Sequence, residues 1–273
     1  MRSSAQNIQI PVDYTNPGQF FACCGLLEVA HRLWPGAEGR FHVSGPRTRF
    51  EIAAEGNEGL KKLLDGARLV EFQVESDDSE ADEDKERVDP IVVTSPIRLV
   101  LDWWSDKSIK TWAGSMKERA ILHAMLRAID PDNPDPFNDS RPVDDPPQPG
   151  ARTKKSQKRE PFYFDCRRGC NAHPLDSGFS PDTQEMRSEC CPAVEAMCFV
   201  GLQRTRPAPT EDPNRLRYFV WQKPLPLNVI AAVACGLAPI PGSLAFTFRN
   251  FFRTDHRNHK AYSQATCERS DSV

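Results

Sequence analysis

The chain has 273 residues, 39% of them hydrophobic and 27% charged, with a formal net charge of −3. That is enough apolar content for a substantial core broken by polar loops. No apolar run reaches the length of a membrane span, and the opening MRSSAQNIQIPVDY lacks the apolar centre of a secretory signal; the expectation is a cytoplasmic protein with no membrane contact. The charge is uneven: residues 1–150 hold 17 Lys/Arg against 26 Asp/Glu, and residues 151–273 hold 18 against 12. A basic C-terminal portion of this kind suits a polyanionic partner.

The first strong element is TNPGQFFACCGLLEVAHRLWPG. Asn16 is a capping residue, Pro17 fits the first turn, and Pro35-Gly36 ends the helix after Trp34. Helical spacing puts Cys23 and Cys24 on an apolar stripe with Phe20, Leu27 and Ala30, where a thiol behaves as a small hydrophobe. Glu28 and Arg32 fall on the opposite, polar side with Gly25. A glycine inside a helix costs about 1 kcal/mol relative to alanine, so Gly25 predicts a second backbone packed closely against it. The Asn16-Pro17-Gly18-Gln19 start either caps the helix or offers a phosphate site.

GRFHVSGPRTRFEI follows as two strands around a turn, GNEGLKKLLDG as a short helix and ARLVEFQV as a strand. The acidic run ESDDSEADEDKER, within about residues 75–88, reads as a solvated, mobile loop. IRLVLDWW alternates Ile97, Leu99, Leu101 and Trp103 toward one buried face, and SMKERAILHAMLRAID has helical spacing. Residues 131–160 carry seven prolines in their first twenty positions and then KKSQKRE. This Pro-rich, basic stretch is a loop or linker between an N-terminal α+β portion, residues 1–130, and a basic C-terminal α+β portion, residues 161–273, unless the two form one continuous domain. Beyond it PFYFD reads as a strand, CPAVEAMCFVGLQ as a helix starting near Pro192, RLRYFVWQ as a strand, PLNVIAAVACG as a helix and SLAFTFRNFF as a strand. Strands and helices mix without a βαβ rhythm, which makes the fold class α+β.

The chain has no Walker loop, GxGxxG or HExxH motif, and no cofactor is expected. Nine cysteines in a reducing compartment read mainly as free thiols. CRRGCNAH brings Cys166, Cys170 and His173 together, with Cys190 and Cys191 further on, but CxxxC and a vicinal pair do not match a common zinc module. No metal is expected; a zinc-stabilised interaction module is the alternative. Nothing local assembles a nucleophile with a His base and an acid. His256 and His259 lie in a basic segment and supply the general acid–base groups of an alternative reading, a guide-RNA-processing endoribonuclease. FRNFFRTDHRNHK places Arg249, Asn250, Arg253, Arg257 and Lys260 among Phe248, Phe251 and Phe252. Guanidinium groups contact phosphates in pairs and rings stack on bases, or the segment is an edge strand with its phenylalanines in the core. Lys107 and Lys110 in SDKSIKTW, and Arg167 and Arg168, are further phosphate-contact candidates.

With these residues in view, PVDYTNPGQFFACCGLLEVAHRLWPGAEGRF resembles the amino-terminal signature of the large subunit of type I-G (formerly I-U) CRISPR Cascade complexes. LDWW with IKTWAG, PFYFDCRRGCNAHPLDSGFSPD and PAVEAMCFVGLQRTRP are similar to later blocks of that family, in the same order. None of these blocks is catalytic. The resemblance implies a non-catalytic subunit of an RNA-guided DNA surveillance complex. Its partners would be the guide RNA near its 5′ end, target double-stranded DNA at the short flanking motif, the other Cascade subunits and the helicase–nuclease. Guide pairing reads the remaining target, and the protein reads shape and backbone. One departure is that residues after Gly242 leave no room for the C-terminal helical bundle common in large subunits, a place that a separate small subunit would fill. The acidic run would repel nucleic acid and so face solvent or a protein.

Overall fold

A computed structural model describes residues 7–44, 48–73, 89–113, 116–145, 157–169, 189–253 and 259–268. The acidic run at 75–87 lies outside the described residues, as do Cys170, His173, His256 and Arg257 and the 146–156 part of the Pro-rich stretch.

In chain order the elements are β1 (Ile8–Pro11), α1 (Pro17–Leu33), β2 (Glu38–His42), β3 (Arg49–Ala53), α2 (Leu60–Arg68), β4 (Glu71–Phe72), β5 (Ile91–Ser95) and β6 (Leu99–Leu101). A short 3-10 turn at Trp103–Ser105 leads to α3 (Glu118–Ala128), β7 (Arg141–Pro142), β8 (Asp144–Asp145), β9 (Gln157–Lys158), α4 (Cys166–Gly169) and β10 (Glu189–Cys190). The last part holds α5 (Pro192–Arg204), β11 (Ala208–Pro209), β12 (Arg215–Val220), β13 (Leu225–Pro226), α6 (Leu227–Ala234), β14 (Leu244–Phe252), β15 (Lys260–Tyr262) and β16 (Thr266–Cys267). Strand pairing among these is antiparallel throughout, and the fold is α+β.

The main sheets are β1-β3-β2-β13 and β11-β12-β14-β15, with β16 also on β14; β4-β5-β6 forms a third. One hydrophobic core runs from Ile8 to Ala265 and draws on both portions of the chain. Trp221, just after β12, joins the two larger sheets: its carbonyl accepts from Phe41 N at 3.0 Å and its indole donates to Gly39 O at 2.8 Å.

Two helices form the centre. Residues 17–30 of α1 and 192–202 of α5 are all buried, so neither has the solvent-facing side that an amphipathic surface helix keeps. They run in the same direction. Asn16 at the start of α1 donates to Asp165 at 2.7 Å, and the Asp165 amide donates to Glu195 in the first turn of α5 at 3.1 Å. Midway, a Cβ built on Gly25 would collide with the Met197 carbonyl and come within 3.0 Å of Gly201 N. At the far end Arg204 donates to Glu28 at 2.7 Å. The close backbone expected from Gly25 is therefore that of α5. The polar side assigned to Gly25, Glu28 and Arg32 faces this helix too, and Glu28 is buried behind its two arginines.

Aligned macrodipoles put partial positive charge at one end of the pair and partial negative charge at the other. Acids collect at the first end (Asp165 and Glu195) and arginines at the second (Arg32 and Arg204), which offsets the repulsion of parallel dipoles.

Two sequence expectations differ in detail. PFYFD is not a strand, although Phe162 and Phe164 are fully buried. Tyr163 has φ 66, outside extended backbone, and the amides of Phe164 and Asp165 donate to the Glu195 carboxylate at 3.3 and 3.1 Å instead of to a neighbouring strand. In ARLVEFQV, Ala67 and Arg68 finish α2 and only Glu71–Phe72 pairs as strand.

Candidate nucleic-acid interface

Strand β14 takes its shape from LAFTFRNFF. Phe246, Thr247 and Phe248 are buried together at the middle of the strand, and Arg249 after them is exposed. Asn250, Phe251 and Phe252 pair with Tyr262, Ala261 and Lys260 of β15. Tyr262 is fully buried against Phe248 at 4.9 Å between ring centroids, and its hydroxyl donates to Ile109 O at 2.8 Å. That bond ties the 106–112 loop to the hairpin.

Further bonds lock the loop. Asp106 accepts from the amide and hydroxyl of Ser108 at 2.9 and 2.6 Å, an aspartate turn that exposes Lys107. Asn250 donates its amide hydrogens to Ser108 O at 2.8 Å and Lys110 O at 3.1 Å. The Lys260 amide donates to Thr111 O at 2.7 Å and its ammonium to Lys107 O at 3.0 Å. The Lys260 ammonium also stands 5.1 Å from the Phe252 ring centroid, and that of Lys110 5.0 Å from Trp112.

Five of the candidate residues, Lys107, Lys110, Asn250, Arg253 and Lys260, therefore meet at one junction although they come from segments about 140 residues apart. Three present cations at its rim: Lys107 is exposed, and Lys110 and Lys260 are half-buried, with burial pulling both ammonium groups below the usual lysine range. Phe252 is 45% exposed beside Lys260. Asn250 and Arg253 build the junction. The Arg253 guanidinium is buried over the Tyr163 ring, 3.5 Å from its centroid, and donates through Nε to Lys260 O at 3.2 Å. His259 is half-buried; burial first, and then Arg253, lowers its imidazole below the usual range.

The remaining candidates lie elsewhere. Arg249 points to the other face of β14, directly across from Arg215. That face also carries Arg217, paired with Glu268 at 2.8 Å. Arg167 is committed to structure: it pairs with buried Asp165 at 2.6 Å and donates to Asn138 Oδ1 at 2.7 Å and Phe137 O at 2.6 Å. Arg168 donates to the Ser140 hydroxyl. Both hold the 137–140 segment in place of a ligand phosphate.

The helix start at Asn16 is a cap. Its side chain, fully buried, accepts from Gly18 N at 3.1 Å and leaves no opening for phosphate. Around it Asp165 and Glu195 share one buried space and diverge. Burial pushes Asp165 upward, but Arg167 and Asn16 outweigh it and hold this carboxyl below its ordinary value. Glu195, deprived of water and next to the Asp165 charge, is pushed up to about 7.

Five of the described cysteines are packing residues. Cys23, Cys24, Cys190, Cys191 and Cys198 are buried free thiols. Cys190 contacts the Met125 sulfur at 3.6 Å, and Cys191 accepts from Arg167 at 3.2 Å. Burial raises the Cys166 and Cys191 thiols to about 12. Among the described residues no group of three His, Cys, Asp or Glu side chains is arranged to hold a metal ion, and no helix is long and apolar enough to cross a membrane.

Sequence reasoning missed one basic feature, a cleft lined by Arg32, Arg98 and Arg204. Each arginine sits alone in an unremarkable segment, and only the parallel α1–α5 pair and β6 bring them together. Comparison with protein-family models, with curated proteins and with solved structures gave no match.

Proposed function

We propose that the chain is a non-catalytic, nucleic-acid-binding subunit of a type I-G CRISPR RNA-guided surveillance complex. In this reading it contacts the guide RNA near its 5′ end and the motif flanking the target in duplex DNA, and it helps recruit the helicase–nuclease. The observation that carries the binding part is the hairpin junction. Lys260 stands beside an exposed Phe252, and Lys107 and Lys110 lie on the loop bonded to the same hairpin, held in place by Asn250, Arg253 and Tyr262. Ammonium groups placed to meet backbone phosphates beside a ring placed to meet a base are the two parts of a single-strand binding surface. The assembly part rests on the likeness of TNPGQFFACCGLLEVAHRLWPG, LDWW and PAVEAMCFVGLQRTRP to large-subunit sequences.

A pull-down of the tagged chain co-expressed with a type I-G CRISPR array and its backbone subunits tests the reading. It should recover guide RNA and the backbone subunits, and incubation with precursor guide RNA should leave the RNA uncut. Recovery of neither would contradict the assembly role. Cleavage lost in His259→Ala would favour the endoribonuclease.

A further inference from the structure

The cleft at the C-terminal ends of α1 and α5 is separate from the hairpin junction. It is open, about 570 Å³ in volume, and has Arg32, Arg98 and Arg204 around a floor that includes Leu99 and Val100, with Gln203 at one side. That volume accommodates a group of nucleotide size. Val100 is 46% exposed, so the floor offers apolar surface to a ligand.

The charge balance favours an anion. Among the described residues Glu28 is the one carboxylate lining the cleft, and it lies behind the arginines with its side chain 3% exposed. Arg32 donates to it from Nε and Nη2 at 2.9 and 2.7 Å and spends one Nη1 hydrogen on Arg98 O at 2.7 Å. Arg204 donates from Nε and Nη2 at 2.7 and 3.4 Å. A guanidinium has five N–H groups, so both arginines keep donors beyond those that Glu28 takes. The ends of two helix dipoles draw further on Arg32 and Arg204. Arg98 is exposed, and its guanidinium has no partner among the described residues. Among the described residues three guanidinium groups line the cleft against one carboxylate, an excess of positive charge larger than the partial negative charge of the two helix ends.

We propose that this cleft binds a phosphate group, with Arg98 as the principal ligand-contacting residue and Glu28 as the positioning residue that aims Arg32 and Arg204. Planar guanidinium forks match phosphate oxygens in bidentate pairs. The phosphate belongs either to a nucleic-acid strand or to a small phosphate compound, and both present the same dianionic or diester oxygens.

The test uses the full chain carrying Lys107→Ala, Lys110→Ala and Lys260→Ala, so that the hairpin junction contributes little. It is titrated with inorganic pyrophosphate by calorimetry and with a fluorescent single-stranded oligothymidylate by anisotropy at low salt. At least one probe should bind, and Arg98→Glu should weaken it by about tenfold or more, the loss of a charge-assisted pair. Arg98→Lys should recover part of the affinity, keeping charge without the fork. Oligonucleotide binding alone identifies a strand as the source; pyrophosphate binding alone identifies a small ligand. If neither probe binds, or if Arg98→Glu leaves the affinities unchanged in a chain with an unaltered unfolding midpoint, the cleft is not a phosphate site. Because the hairpin lysines are already absent, either result leaves the hairpin reading standing or falling on its own test.

Discussion

Gly25 of α1 and Gly201 of α5 meet backbone to backbone: a Cβ on Gly201 would lie 2.8 Å from the Gly25 nitrogen and collide with the Phe21 carbonyl. This contact sets the distance between the two central helices, and everything at their ends depends on it. It aligns the starts of α1 and α5 over the Asp165–Glu195 pair, and it brings Arg204 to Glu28 at the other end.

Gly25→Ala or Gly201→Ala should destabilise the protein by about 3 kcal/mol, because backbone on the facing helix cannot yield as a side chain would. Cys23→Ala, a small truncation in the same helix, should cost about 1 kcal/mol. Urea unfolding checks this. Equal midpoints for Gly25→Ala and the parent chain would mean that the helices are not held at glycine contact.

Removing Arg204 should expose the dependence of Glu28 on its partners. Burial pushes the Glu28 carboxyl up, but Arg204 and Arg32 outweigh it and hold it below its ordinary value near 4.5. Arg204→Ala should cost about 2 kcal/mol at neutral pH, less than a fully orphaned buried charge because Arg32 remains. A depressed carboxyl stabilises the fold above its unfolded value and loses that contribution as pH falls through its folded value. The penalty of Arg204→Ala should therefore shrink as pH drops below about 4.5, which denaturation at pH 7 and pH 3.5 would measure.

Glu195 has the opposite sign. Its carboxyl is raised from 4.5 to about 7, so the folded chain holds this proton more tightly than the unfolded chain. Its contribution is greatest below about 4.5 and falls as pH rises toward 7, by up to about 3 kcal/mol. Glu195→Gln removes the titration. The variant should gain relative to the parent between pH 5 and pH 8, and a constant difference across that range would contradict the assignment.

Much of the fold was legible because local chemistry and burial agree. Asn16 and Pro17 start α1, Pro192 starts α5, and SLAFTFRNFF forms the strand β14, although Phe246, Thr247 and Phe248 are buried in succession rather than alternately. Gly25 announced a close neighbour through its own helix penalty, though not which neighbour. PFYFD misled because its two phenylalanines are buried as strand residues would be, while the backbone partners are carboxylate oxygens of Glu195, thirty residues on. Glu28 misled for a related reason: its charge marks a surface face only until two arginines reach it. At the site, the sequence pointed to the lysines and to Asn250, Arg253 and Phe252 as basic–aromatic segments. It held no sign that the 106–112 loop and the β14–β15 hairpin share one edge, nor that Arg253 would spend its guanidinium on Tyr163. Those are tertiary facts without a local period or spacing.

The most direct test of the nucleic-acid interface is the salt dependence of binding. Affinity for single-stranded RNA is measured from 50 to 300 mM salt for the parent chain and for Lys107→Ala/Lys110→Ala/Lys260→Ala, about 0.7 in slope being lost for each phosphate contact removed. The parent should show a steep fall in log affinity with log salt, and the triple variant a slope shallower by about 2 with weaker binding at every salt. Identical slopes and affinities in a variant that keeps the parent's unfolding midpoint would contradict the hairpin junction as the binding surface.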